Sequence, residues 1–171
     1  MFIQTKRLLI KPYTEEDCDR MIELLTNDDI KKTFMIPDLP TQAKAKAMFD
    51  KLFELSTSKD HYNAGIYYQD NLIGFVNDVG IENRIIEMGY VIDPHYQKQG
   101  FATEAFRAVI QDLFQMGFIE VIAGAFAENT ASLKVMEKCG MKRLDKTDEL
   151  TYRGKMHQCM YYSIKAEANH V

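Results

Sequence analysis

The sequence predicts an α/β (α+β) fold: a mixed central sheet of about seven strands with helices on both faces, in the order β-α-α-β-β-β-α-β-α-β-β. Three observations carry that expectation. Residues 62–92 are rich in β-branched and aromatic side chains and break into three consecutive strands. Two stretches with apolar residues at helical spacing precede them, and a third follows Gly100. The apolar run "FIEVIAGAF" comes next, so the strand-helix-strand unit across 84–124 calls for a right-handed crossover.

Taken in order, "RLLIKPY" is a short strand closed by Pro12. Thr14-Glu15-Glu16-Asp17 has the form of a capping box, and Met21, Ile22, Leu24 and Leu25 follow at helical spacing, predicting a helix over 15–26. Residues 27–40 hold a short helical turn and end in "IPDLP", whose prolines forbid a continuous helix, leaving a connector that could move. Thr41 caps a second helix, with Ala45, Met48, Phe49 and Leu52 on one face, fading at Ser56-Thr57-Ser58. "YNAGIYYQ" and "LIGFVNDV" are strands joined through Asp70-Asn71, residues that tolerate a left-handed turn; "RIIEMGYVI" follows a "GIEN" turn.

After Gly100, Ala102, Ala105, Phe106, Val109, Ile110 and Leu113 form one stripe, and Gly117 ends that helix in the left-handed conformation. "FIEVIAGAF" reads as the most buried strand, covered on both faces. Asn129 caps a short helix that ends at Gly140, "MKRLDK" and "QCMYYSIKA" make a final strand pair, and 166–171 is a loose tail.

At 171 residues and 46% hydrophobic content, the chain holds one substantial core, and residues 1–171 are expected to form a single domain. Its net charge of −4 and scattered basic residues argue against a nucleic-acid partner. A mild acidic excess suits a cationic substrate, although such an excess also merely keeps a protein soluble. Cys18, Cys139 and Cys159 are odd in number and lack C-x-x-C spacing, so neither a disulfide framework nor a metal site is expected, and a reduced cytoplasmic setting fits. No stretch reads as a signal peptide or a membrane span.

"YVIDPHYQKQGFATEA", residues 90–105, carries the chemistry. Pro94 cannot donate to a ladder, so the strand ends near Asp93. Gln97, Lys98, Gln99, Gly100, Phe101 and Ala102 then form a turn and the first turn of a helix. Amides there have no intrahelical partner and sit at the positive end of the helix dipole, a seat for an anion such as a diphosphate. Gly100 allows close backbone approach and Ala102 leaves space. On the glycine alone, a plain helix start is the simpler reading.

The spacing Gln-x-x-Gly-x-Ala, after a strand ending in Asp-Pro and before an amphipathic helix, resembles the coenzyme-A pyrophosphate loop of the GCN5-related N-acetyltransferases (GNAT). "EMGYVIDPHYQKQGFATEA" followed by "ENTASLKVMEKCGM", with the opening "TKRLLIKPYTEED", is similar to the branch that includes the ribosomal-protein N-terminal acetyltransferases, over residues 3–165. The resemblance implies the GNAT acyl-CoA N-acyltransferase fold, acetyl-CoA as cosubstrate, no metal, and acetyl transfer to a primary amine. It also implies that backbone groups of Tyr90, Val91 and Ile92 pair with the pantetheine amides, while the Gln97 to Ala102 loop, Lys98, Gln99 and Gly100 included, holds the pyrophosphate. By the same resemblance Asn129 lies beside the pantetheine arm or the acetyl group; its role as an N-cap, with Ser132 at the receiving position, stays open beside that one.

An alkylamine has a pKa of about 10.4, so it arrives charged and must lose a proton before attack. Glu87 is the candidate base: it lies three residues before Tyr90 and shares a strand face with Gly89 and Val91, although an outward-facing glutamate is the competing reading. Asp78 and Glu82 are weaker candidates, and Glu104 reads as a carboxylate favoured by the helix dipole. Where many relatives carry a tyrosine on the last helix as the acid, this chain has Met136; the thiolate can leave unaided, or with help from water or the Ser132 hydroxyl, Tyr90 being a lesser substitute. Cys139 has no evident histidine partner, and His61, His95, His157 and His170 are scattered, so direct attack in a ternary complex is expected rather than a covalent acetyl-cysteine. The acceptor should enter past residues 27–40, 80–83 and "TYRGKMHQ", and a protein N-terminus, a polyamine, an amino sugar and a free amino acid all remain open, as does a homodimer. A coenzyme-A-binding sensor without turnover is the alternative that Met136 keeps alive.

Overall fold

A computed structural model describes residues 1–168 of the chain. Its strands are β1 (Ile3–Gln4), β2 (Leu8–Lys11), β3 (Asn63–Tyr68), β4 (Asn71–Glu82), β5 (Ile85–Ile92), β6 (Glu120–Phe126), β7 (Lys142–Tyr152) and β8 (Lys155–Lys165). Its helices are α1 (Cys18–Leu25), α2 (Asp28–Lys31), α3 (Gln42–Thr57), α4 (Phe101–Gln115) and α5 (Thr130–Lys138). The strands are hydrogen-bonded as one 8-stranded mixed sheet in the order β1-β2-β3-β4-β5-β6-β8-β7. The short β1 is an addition to the expected order, being too short to show a period, and the single-turn α2 is the short helical turn expected within 27–40.

The contacts group into two units, residues 1–77 with 90–105, and residues 78–89 with 106 onward. In the first, β2 pairs antiparallel with β3, and β3 with β4. Met21, Leu24 and Leu25 of α1, Phe49 of α3, Leu72 and Phe75 of β4 and Val91 of β5 form its core. Each fully buried side chain such as Met21 adds about 1.5–3 kcal/mol through removal of apolar surface from water. The caps at Thr14 and Thr41 are as the sequence predicts, and Asn27 adds another. The Asp17 carboxylate accepts from the Thr14 amide at 2.7 Å, Asn27 caps α2 by accepting from the Ile30 amide at 3.0 Å, and Thr41 caps α3 by accepting from the Lys44 amide at 3.2 Å. The 27–40 connector is anchored, with Ile30 and Ile36 buried and Phe34 edge-on to Phe75 at 5.7 Å.

In the second unit β5 and β6 run parallel, from Ile85 opposite Glu120 to Met88 opposite Ala123, as the crossover requires. β6 pairs antiparallel with β8, and β8 with β7. β6 alternates buried and partly buried residues, whereas β3 is buried from Asn63 to Tyr67. The expectation for "FIEVIAGAF" is thus corrected. Its small residues made a half-open strand look uniformly apolar, and the unbroken buried runs fall instead in β3 and in Leu72–Val76 of β4.

Both turns of the meander are displaced from the expected positions. The first falls at Gln69-Asp70, with φ 48° and 64°, and the second at Asn83-Arg84, with φ 51° and 66°. Two successive left-handed residues match the right-handed twist of the flanking strands, so the chain turns there while Gly80 stays within β4. β7 and β8 are longer than expected and turn at Arg153-Gly154. Residues 166–168 carry no regular structure, and the rest of the expected tail, with His170, lies outside the described residues.

Candidate functional site

The end of β5 is fixed before the loop begins. The Asp93 amide donates to the Ile73 carbonyl at 2.7 Å, and an added Cβ on Gly74 would lie 2.1 Å from the Val91 carbonyl oxygen, so only glycine permits that approach. Asp93 itself is 3% exposed; its carboxylate accepts from the His95 amide at 2.8 Å, meets His95 Nδ1 at 2.9 Å, and is bonded to the Arg20 guanidinium. Burial pushes this carboxyl up, but the Arg20 and His95 bonds outweigh it and hold it below the usual carboxylate range. The sequence pointed to Asp93 only as a strand end; the signal for more was its place before Pro94, where aspartate closes a local turn.

Pro94–Tyr96 makes a 3-10 turn, and Gln97 turns inward, its Nε2 donating to the Ile92 carbonyl at 2.9 Å. Lys98 and Gly100 follow at φ 60° and 81°, and α4 starts at Phe101. Among the described residues, the amides of Lys98, Gln99, Gly100, Phe101 and Ala102 find no acceptor in the chain. Successive free amides curled by left-handed residues at a helix start form a concave anion site.

Glu104 does more than favour the dipole. One of its oxygens accepts from Thr5 Oγ1 at 2.6 Å and the Arg7 amide at 2.9 Å, the other from Arg7 Nε at 2.7 Å. Arg7 Nη1 also donates to the Gln99 carbonyl at 3.0 Å, and its guanidinium lies 4.3 Å from the centre of the Phe101 ring. Sequence reading missed this grip, because "TKRLLIKPY" registers only as a strand and its partner is far along the chain.

The second unit holds the other candidates. Glu87 is half-buried, opposite Ile122 on β6, and senses the charges of Lys146 and Asp148. Burial raises its pKa, Lys146 opposes and Asp148 adds to the rise. Tyr161 donates to Asp148 at 2.9 Å, and the Lys146 ammonium lies 4.4 Å from the centre of its ring. Gly124 leaves room for that ring: an added Cβ would come within 2.8 Å of it. Asn129 caps α5, its Oδ1 accepting from the Ser132 amide at 3.2 Å. Next to it, Glu128 is bonded to Nδ1 of His157, which is buried and stacked on Phe126 at 4.2 Å. His157 is therefore a placed residue, and its partner two strand-ends away could not be read from spacing.

Met136 is fully buried, and burial pushes the Cys139 thiol up to about 11, which deprives it of nucleophilic thiolate. His95 keeps an exposed ring. The structure thus brings Asn129 together with Ser132 and makes Tyr90 to Ala102 one continuous segment. Glu87 and Asn129 belong to the second unit and that segment to the first.

A loop of free amides opening a helix is a seat suited to the phosphates of a ligand. Residues 7–142 match the acetyltransferase (GNAT) domain, and the chain belongs to that family. It is an N-acetyltransferase whose acetyl donor is acetyl-CoA. It is 32% identical to the N-acetyltransferase YnaD of Bacillus subtilis over 148 residues, 84% of either chain. It is 25% identical to YoaA of the same organism over 95% of either chain. Among solved structures, a GNAT-family acetyltransferase from Bacillus anthracis superposes with a TM-score of 0.82 at 25% identity, covering 96% of this chain and 98% of that one. RimL, a ribosomal L7/L12 alpha-N-protein acetyltransferase in complex with coenzyme A, gives 0.88 at 16% identity over 99% and 100%, which shows the shared fold. No helix among the described residues is long and apolar enough to cross a membrane.

Proposed function

We propose that the chain transfers the acetyl group directly to a cationic primary amine, a protein N-terminus or a small amine, in a ternary complex. The row of free amides from Lys98 to Ala102 carries this reading. They suit the diphosphate of the cofactor, while backbone groups of Tyr90, Val91 and Ile92 suit the pantetheine amides. Asn129 serves both as the cap of α5 and as a polar contact for the arm, since an amide oxygen engaged with Ser132 leaves its nitrogen to donate.

Glu87 takes the proton that the ammonium must lose. Burial raises its pKa, which makes its carboxylate a stronger base than that of a solvated glutamate. Asp148 and Glu87 give the second unit acidic groups beside the buried Tyr161 ring, an environment suited to an ammonium, the kind of group Lys146 already places against that ring. With Met136 buried, the departing thiolate takes its proton from water or the Ser132 hydroxyl. RimL's ribosomal substrate favours a peptide N-terminus as the first acceptor to try, with polyamines and amino sugars behind it. A reducing cytoplasm suits the three free cysteines.

Thiol release measured against N-terminal peptides, polyamines, amino sugars and free amino acids tests the proposal. Acceleration by at least one primary amine is expected. Tight coenzyme-A binding with no acceleration by any of them would overturn amine transfer.

A further inference from the structure

We propose that Arg7 is a positioning residue for the cofactor diphosphate, holding the Gln99 carbonyl away from the anion site and cancelling the Glu104 charge beside it. The inference rests on the reading of the Lys98 to Ala102 amides as the diphosphate site.

Two features of the site work against an anion unless something corrects them. Glu104 places a carboxylate in the first turn of α4, the turn whose opening amides would receive a doubly charged group. At Debye lengths near 8 Å, a carboxylate within one helical turn is not screened away. The second feature is the Gln99-Gly100 peptide. Its carbonyl and its N–H point in opposite directions because the bond is planar and trans, so the carbonyl must be kept outside for the Gly100 amide to face the ligand. A loop with left-handed residues on both sides of Gln99 could flip that peptide at little cost.

Arg7 answers both with one side chain. Nε reaches Glu104 at 2.7 Å while Nη1 reaches the Gln99 carbonyl at 3.0 Å, so one planar guanidinium fixes the carboxylate and the peptide in register. Nη2 lies 3.4 Å from where a Gly100 Cβ would stand, which places the cation along the loop itself. The Phe101 ring, 4.3 Å from the guanidinium and 4.8 Å from the Tyr68 ring, holds the arrangement from the helix side. Thr5 bonds the same Glu104 oxygen that the Arg7 amide does, so backbone and side chain of one short segment clamp the helix start.

The test compares acetyl-CoA with acetyl-pantetheine, which lacks the diphosphate, in steady-state kinetics of Arg7→Gln, Arg7→Lys and Arg7→Gln/Glu104→Gln. Arg7→Gln should raise KM for acetyl-CoA about tenfold, leave kcat within about twofold, and leave acetyl-pantetheine kinetics unmoved. Arg7→Lys should fail to restore KM, since a point charge cannot span both acceptors. Removing the stranded carboxylate in the double variant should recover part of the loss. Equal effects of Arg7→Gln on both donors would mean a role in the fold alone and overturn the proposal. Should that variant not fold, the same comparison on Arg7→Lys decides in the same way. A parent enzyme that handles the two donors equally would overturn the diphosphate reading itself, a separate outcome.

Discussion

Arg20 on α1 and Asp93 at the end of β5 form a charged pair, 73 residues apart, in which the aspartate side chain is 4% exposed and the arginine 32%. The same arginine donates to the Leu72 carbonyl at 3.0 Å, so α1, β4 and the approach to the loop share one cation.

Asp93→Ala should therefore lower stability by about 2–3 kcal/mol, because it strands a partly buried guanidinium and frees the His95 turn. The native carboxyl is held below its ordinary value, so its contribution is complete above the unfolded pKa of about 3.9 and vanishes as pH falls through the folded value. Urea melts of parent and variant should differ at pH 7 and converge in strong acid.

Gly100→Val should spare the fold and damage binding. At φ 81° a β-branched residue is strained by about 1–2 kcal/mol, and its Cβ would stand 3.4 Å from Arg7 Nη2, so its bulk crowds the cation that fixes the loop. Calorimetry should show coenzyme-A affinity down by more than about tenfold with the melting temperature lowered by only a few degrees.

Glu87→Gln should lower kcat at saturating acceptor by about a hundredfold and remove the acid limb of its pH profile. In the parent, that limb should lie above the range of a solvated glutamate, the rate climbing as pH rises through the raised pKa. An unchanged profile from pH 6 to 9 would show that another group takes the proton.

Met136→Tyr, which would supply the acid found in many relatives, should not raise activity. The site is fully buried, and the larger ring should cost about 1–3 kcal/mol by overpacking. Thermal melts alongside thiol-release rates check both halves.

Local chemistry made much of the fold readable. Thr41 and Asn129 announce helix starts because a short polar side chain satisfies an orphan amide, Thr14 does so with the Asp17 carboxylate that takes its own amide, and Gly117 announces a stop. The turns were harder to read, since Gln69 and Arg84 are not residues that advertise a left-handed conformation and the twist of the ribbon imposes it. The turn at Gly100 and the helix start after it were legible because backbone geometry writes itself into spacing. Arg7 with Glu104, Arg20 with Asp93, and Glu128 with His157 were not, since each joins side chains brought together only by the folded sheet.

The amides that face no acceptor have a consequence outside catalysis. In the free protein, water must serve Lys98 through Ala102, so their protons should trade with solvent rapidly even though α4, just beyond, is a firm helix. A ligand seated there would quench that trade residue by residue, giving a map of occupancy by isotope labelling that needs no acceptor and no turnover.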